Sequence, residues 1–176
     1  DRAAQGDDMK PVPRANAATQ MRLVARGAAK LMAADDGPRI GALAFDGWDT
    51  HANEGGATGR LAQLLSGLDG ALAEFESGLG ARWRDTAIVV ATEFGRTARI
   101  NGTQGTDHGT GTVAFLIGGG LTGGRVIADW PGLKPAQLLE DRDLKPTTDL
   151  RAVLKGLLRD HLRVDEKVLA DAVFPG

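Results

Sequence analysis

An α/β fold, a mostly parallel sheet flanked by helices, is the class this sequence predicts. Three observations predict it. Short apolar runs at Ile40–Phe45, Ala87–Ala91 and Thr112–Ile117 are bounded by turn residues, the pattern of strands covered on both faces. Between the first two runs, Leu61, Leu64, Leu65, Leu68, Ala71, Leu72, Phe75 and Leu79 recur in steps of three and four, which is the helical period. Strand, helix, strand in that order is the right-handed crossover unit of a parallel sheet.

The elements follow in order. Residues 1–14 are polar and punctuated by Pro, and read as an extended arm. Residues 15–176 read as part of a single domain. Residues 15–34 form a helix with Met21, Val24, Ala28, Leu31 and Met32 on one stripe, and Asp35-Asp36-Gly37-Pro38 ends it. The run 39–45 is a buried strand. The helix over 61–79 comes next, weakened locally by Gly67 and Gly70. Residues 86–91 and 112–118 supply two more strands, and 124–128 a short fourth, with the glycines at 118–124 as the turn between the last two. Residues 129–147 are loop-rich. Thr148-Asp149 caps a last amphipathic helix that carries Leu150, Val153, Leu154, Leu157, Leu158 and Leu162, and a short helix follows around 165–172.

Composition narrows the function. A net charge of −2 with mixed signs leaves no basic footprint for nucleic acid. No apolar run reaches transmembrane length, and no signal peptide is visible. The chain starts at Asp1 rather than Met, which suggests processing or a fragment. Absence of Cys removes disulfides, thiolate ligands and Cys nucleophiles. Ser66 and Ser77 both fall in the long helix, so no serine stands at a nucleophile elbow. The glycines at 118–124 lack the phosphate-cradle pattern, which argues against a nucleotide-binding domain.

The residues with metal-ligand chemistry sit beside the ends of the apolar runs. Asp49 and His51 are one residue apart, so in an extended loop both side chains point the same way and can share an ion. A capping Asp and a solvent-exposed His is the plainer reading of the pair. Asp46 is a further oxygen ligand or a turn residue beside Gly47. Glu93, at the rim of an apolar strand, needs a positive partner, which a cation or Arg96 can supply. If a cation meets Glu93, the planar fork of Arg96 is free to hold an anionic substrate group. Asp107 and His108 lie among glycines, where His108 can ligate while a carboxylate orients its other ring nitrogen. His108 precedes its strand, so reaching the same region requires a loop that folds back or an antiparallel strand. The candidate metal ligands are therefore Asp49, His51, Glu93, Asp107 and His108, with Arg96 as the catalytic cation. His161, in the last helix, reads as structural.

Phe45-Asp-Gly-Trp-Asp-Thr-His-Ala-Asn53, then Asp85-Thr-Ala-Ile-Val-Val-Ala-Thr-Glu-Phe-Gly-Arg-Thr97, Asn101-Gly102, Asp107-His108, Leu116-Ile-Gly-Gly-Gly120 and the closing Val173-Phe-Pro-Gly176 resemble the DUF1501 family. That family is related to the alkaline phosphatase and sulfatase superfamily. The resemblance implies an alkaline-phosphatase-like fold of which this chain is the C-terminal part, with the N-terminal half of the fold and its nucleophile missing. It implies one or two divalent ions (zinc, calcium or manganese). Asp49 and His51 match the superfamily's Asp…His ligand pair, though the spacing is shorter. Glu93 sits at its next ligand pair, where Phe94 replaces a His or Asn, and His108 matches the last His. A small anionic ester is the implied substrate, and a twin-arginine export signal implies a periplasmic or cell-surface protein. Hydrolysis of phosphate or sulfate esters is the implied activity. The alternative is a binding or assembly module that keeps the fold without catalysis.

Overall fold

Asn16 begins the first helix. Its side-chain oxygen accepts a hydrogen bond from the Thr19 amide at 2.8 Å, satisfying one of the donors that a helix start leaves unpaired. The structure, a computed structural model, describes residues 16–175, and the arm expected over 1–14 lies outside them. Helix α1 spans Ala17–Ala33 and helix α2 spans Arg60–Leu79. They pack side by side and run parallel, because partners rise together along both chains. Gly67 lies against Ala18, Arg22 Nη2 donates to Ser66 O, Arg26 forks onto Glu74, and Gly78 lies against Ala29. Arg82, just past α2, donates to Ala33 O and Ala34 O at 3.0 Å each and so covers carbonyls at the end of α1.

Size, more than apolarity, selects the faces that meet. A Cβ on Gly67 would stand 2.6 Å from Ala18 Cα, and one on Gly78 would stand 2.7 Å from Ala29 Cβ. The two helices therefore meet over glycine and alanine. Met21, Ala25 and Ala29 are buried on α1. The stripe expected from sequence is turned accordingly. Ala28 and Met32 pack against the core, whereas Val24 and Leu31 are exposed. On α2 the predicted face holds at Leu64, Ala71, Phe75 and Leu79, all buried, while Leu65 is exposed. Phe45, Trp48, Trp83 and Ile88 pack against this core from the segments that lead to the site.

The expected parallel sheet is not present among the described residues. Strand β1 (Ile88–Val90) pairs antiparallel with β4 (Phe115–Ile117), in the register Val89 opposite Leu116. Strand β2 (Gly95–Arg96) pairs antiparallel with β3 (His108–Gly109), with Arg96 opposite His108. These two-stranded ladders are separate sheets. The run Ile40–Phe45 is apolar but pairs with no strand among the described residues, and Ile40 is 76 % exposed. Without a strand there, the crossover unit loses its first member and the rule for its hand does not apply. Residues 124–128 form no strand either, and Val126 is 91 % exposed. Gly118–Gly120 are accordingly not a turn between two strands. They lie against the backbone of Trp83 and Thr86, and Gly118 has a φ of +138°. The alkaline-phosphatase-like architecture implied by the resemblance is corrected on the same finding. Short apolar runs state that a segment is extended; they do not state what pairs with it.

The C-terminal readings hold in part: the last long helix forms, but Leu162 lies past its end and is exposed. Asp149 caps α3 (Leu150–Asp160) by accepting from the Arg151 amide at 2.8 Å. The last short helix begins at Glu166, where the Asp165 carboxylate accepts from the amides of Lys167 and Val168, and it continues as a wider turn to Val173. His161 follows α3, and its ring lies beside Gly120. No helix among the described residues is long and apolar enough to cross a membrane.

Candidate metal centre

The loop that leaves Phe45 is held at both ends of a short stretch. Trp48 packs on the helical core, and Thr50 is 2 % exposed. Asp49 and His51, on either side of buried Thr50, both face outward as the one-residue spacing requires. The second wall is the β2–β3 hairpin. Its antiparallel pairing turns the segment before β4 back on itself, which is the condition that His108 needed.

Three side-chain atoms from this loop and hairpin converge. Asp49 Oδ1 lies 3.0 Å from His51 Nε2 and 2.9 Å from His108 Nε2, and the two ring nitrogens are 3.1 Å apart. Donors this close could reach one ion together at bond lengths of about 2.1 Å. This group of Asp49, His51 and His108 can hold a metal ion.

Proton accounting points the same way. His51 Nδ1 lies 3.2 Å from Asp107 Oδ1, and a carboxylate only accepts, so in the tautomer that leaves Nε2 free for an ion Nδ1 donates to Asp107. In the neutral ring Nε2 then bears a lone pair. That lone pair meets the carboxylate oxygen of Asp49 and the second imidazole. By the same rule His108 Nε2, 2.9 Å from Asp49 Oδ1, donates its hydrogen there, and a cation that displaces that hydrogen would meet three electron pairs at one point. Asp107 beside His51 is the carboxylate–histidine arrangement that fixes tautomer and ring angle at metal sites.

The surroundings support each member. Asn101 Nδ2 donates to Asp107 Oδ1 at 3.0 Å and to His51 O at 2.8 Å. The Asn101 hydrogen bond, then that of His51, holds the Asp107 carboxyl below the usual carboxylate range. Asp49 is likewise lowered, first by His108 and then by Arg96, whose Nη1 donates to Oδ1 at 2.8 Å. Arg96 also gives Nη2 to Thr106 O and Nε to Thr106 Oγ1, and Thr106 donates on to Glu54 at 2.8 Å. Three of its five N–H groups are thereby engaged, which leaves one on each Nη. The Phe94 ring stacks near His108, centroids 4.2 Å apart.

Among the candidates read from sequence, Asp49, His51 and His108 meet at one point. Asp107 stands behind His51, on the nitrogen away from that point. Glu93 is exposed and has no hydrogen bond or ion pair among the described residues, and Arg96 pairs with Asp49 instead of Glu93. Asp46 is exposed on the loop without a part in the cluster.

A sequence profile described as "Protein of unknown function (DUF1501)" matches residues 2–173. The chain belongs to the DUF1501 family. No curated protein and no solved structure matches it. In this DUF1501 chain, Asn101, Thr106 and Glu54 belong to the site without a metal-ligand motif in the sequence to mark them. A signal existed for Asn101 alone. Its Oδ1 accepts from the amides of Thr103 and Gly105, the side-chain turn that Asn favours ahead of glycines. Gly105 lets that turn press on the ligand loop, for a Cβ there would stand 2.3 Å from the His51 carbonyl carbon.

Proposed function

We propose that the chain binds a divalent ion through Asp49, His51 and His108 and that the full-length protein is a metal-dependent hydrolase of phosphate or sulfate esters. One observation carries the metal reading: Asp49 Oδ1 and the Nε2 atoms of His51 and His108 lie 2.9 to 3.1 Å from one another, with Nδ1 of His51 committed to Asp107. The ester reading rests on Arg96. Its guanidinium donates to the Asp49 carboxylate and has two further N–H groups with which it could meet an anion. A bound ion would polarise the ester and offset developing negative charge. The residues do the rest: Asp107 holds the His51 ring, Thr106 and Asp49 hold Arg96, and Arg96 steadies a substrate oxyanion. Ser66 and Ser77 lie on α2 and take no part. Export to the periplasm or cell surface belongs to this reading on the family resemblance, and fractionation of cells that carry the full-length protein checks it.

A second reading is a metal-holding binding or assembly module without catalysis. Glu93 favours it, since it stands outside the one three-residue ligand group found among the described residues. Elemental analysis of purified full-length protein decides the metal reading. Wild type should retain at least one ion per chain, and Asp49→Ala, His51→Ala or His108→Ala should each strip it. Wild-type protein free of metal after dialysis against zinc and manganese would refute it. Turnover of nitrophenyl phosphate or sulfate by the loaded protein, lost in Arg96→Ala, separates the hydrolase from the module.

A further inference from the structure

Asp143 is 4 % exposed, yet it carries a carboxylate. Burying that charge is unfavourable unless it is met by partners. Its Oδ2 accepts from the Thr110 hydroxyl at 3.1 Å and from Arg142 Nη2 at 3.4 Å. Its Oδ1 lies 2.9 Å from Arg142 Nε, off the line of a hydrogen bond, so this oxygen has charge compensation but no directed donor. An apolar or amide side chain would carry a smaller desolvation cost at this position.

The backbone around Asp143 shows what the carboxylate holds. Leu139–Asp143 form a tight turn closed by paired hydrogen bonds of 2.9 Å, with Glu140 and Asp141 at φ of +54° and +56°. Consecutive non-glycine residues in that region store strain that the surroundings must hold. The turn then joins both arms of the hairpin that carries His108. On one arm Asp143 bridges Thr97 and the Ala98 amide donates to Arg142 O at 3.0 Å. On the other, Thr110 reaches Asp143 and the Gly111 amide donates to Leu144 O at 3.1 Å. Thr97 adjoins Arg96, and Thr110 is two residues past His108. Thr97 Oγ1 in turn accepts from the Asp107 amide at 3.1 Å.

We infer that Asp143 is a positioning residue for the metal centre: its buried carboxylate ties Thr110, on the His108 arm, to the strained Leu139–Asp143 turn, whose backbone holds the other arm at Thr97 and Ala98, and so fixes His108 relative to Arg96, Asp49 and His51. This rests on the metal reading above. It adds that the centre depends on a carboxylate that touches none of the ligands.

Zinc titration by calorimetry tests it, beside the absorption spectrum of the cobalt-loaded protein, which reports donor geometry. Asp143→Asn keeps shape and removes charge; Thr110→Val removes only one donor. Both should keep wild-type far-UV dichroism, bind zinc about 10- to 100-fold more weakly, and shift the cobalt spectrum. Folded variants with wild-type affinity and an unchanged spectrum overturn the inference. Should Asp143→Asn fail to fold, Thr110→Val alone decides by the same two readouts. Wild type that binds no zinc, with His51→Ala no different from it, sinks the metal reading and this inference together. Wild-type binding lost in His51→Ala but kept in both clamp variants sinks this inference alone.

Discussion

Asp107 shows how much a single atom assignment decides. By sequence it is one of five acidic or imidazole ligand candidates. In the structure its Oδ1 faces the far nitrogen of His51 and accepts from Asn101. Its work is then to hold a ring and a tautomer, and its removal should weaken metal binding without abolishing it. Asp107→Asn is expected to lower zinc affinity about 10- to 100-fold, where His51→Ala abolishes binding; competition with a chromogenic chelator measures both. Equal losses in the two variants would place Asp107 among the ligands after all. The Asp49/His51 pair was legible because alternation in an extended loop is a local rule. The engagement of Arg96 by Asp49 was not, because those residues are far apart in sequence and nothing local links them.

At the scale of elements, the glycines of α2 are the instructive case. Their low helix propensity reads as weakness in the sequence. In the folded chain Gly67 and Gly78 are where α1 comes close enough for Ala18 and Ala29 to touch them. A larger side chain there must push the helices apart. Gly78→Leu should destabilise by about 1–3 kcal/mol as overpacking, which a urea midpoint would show, while an exposed change such as Leu31→Gln stays within about 0.5 kcal/mol. A midpoint unmoved by Gly78→Leu would mean that the two helices do not meet there. The same size rule explains why the expected α1 stripe is turned, with Val24 and Leu31 in solvent.

For the whole molecule, the helical pair and the metal centre are distinct supports. The core is built on α1 and α2 with Phe45, Trp48, Trp83 and Ile88 against it. The centre instead joins a loop to a hairpin, His51 on one and His108 on the other. A metal ion should therefore tighten residues 49–54 and 95–111 and leave α1 and α2 nearly unchanged. Hydrogen exchange with and without a chelator checks this. Metal at about 100 times its Kd should also add about 2.7 kcal/mol to overall stability. Slowed exchange spread evenly over both helices would argue against a local site.

The sequence by itself determined the local facts: the helical period over 61–79, the Asp149 cap, the outward pair Asp49 and His51, and the family of the chain. It did so because each depends on neighbours within a few residues, or on motifs in a fixed order. Tertiary structure alone decided which extended runs pair, that they pair antiparallel, and which candidate carboxylates reach the centre. Ile40–Phe45 is as apolar as a buried strand and yet stands unpaired among the described residues, since an extended segment becomes part of a sheet only when another backbone supplies the matching hydrogen bonds.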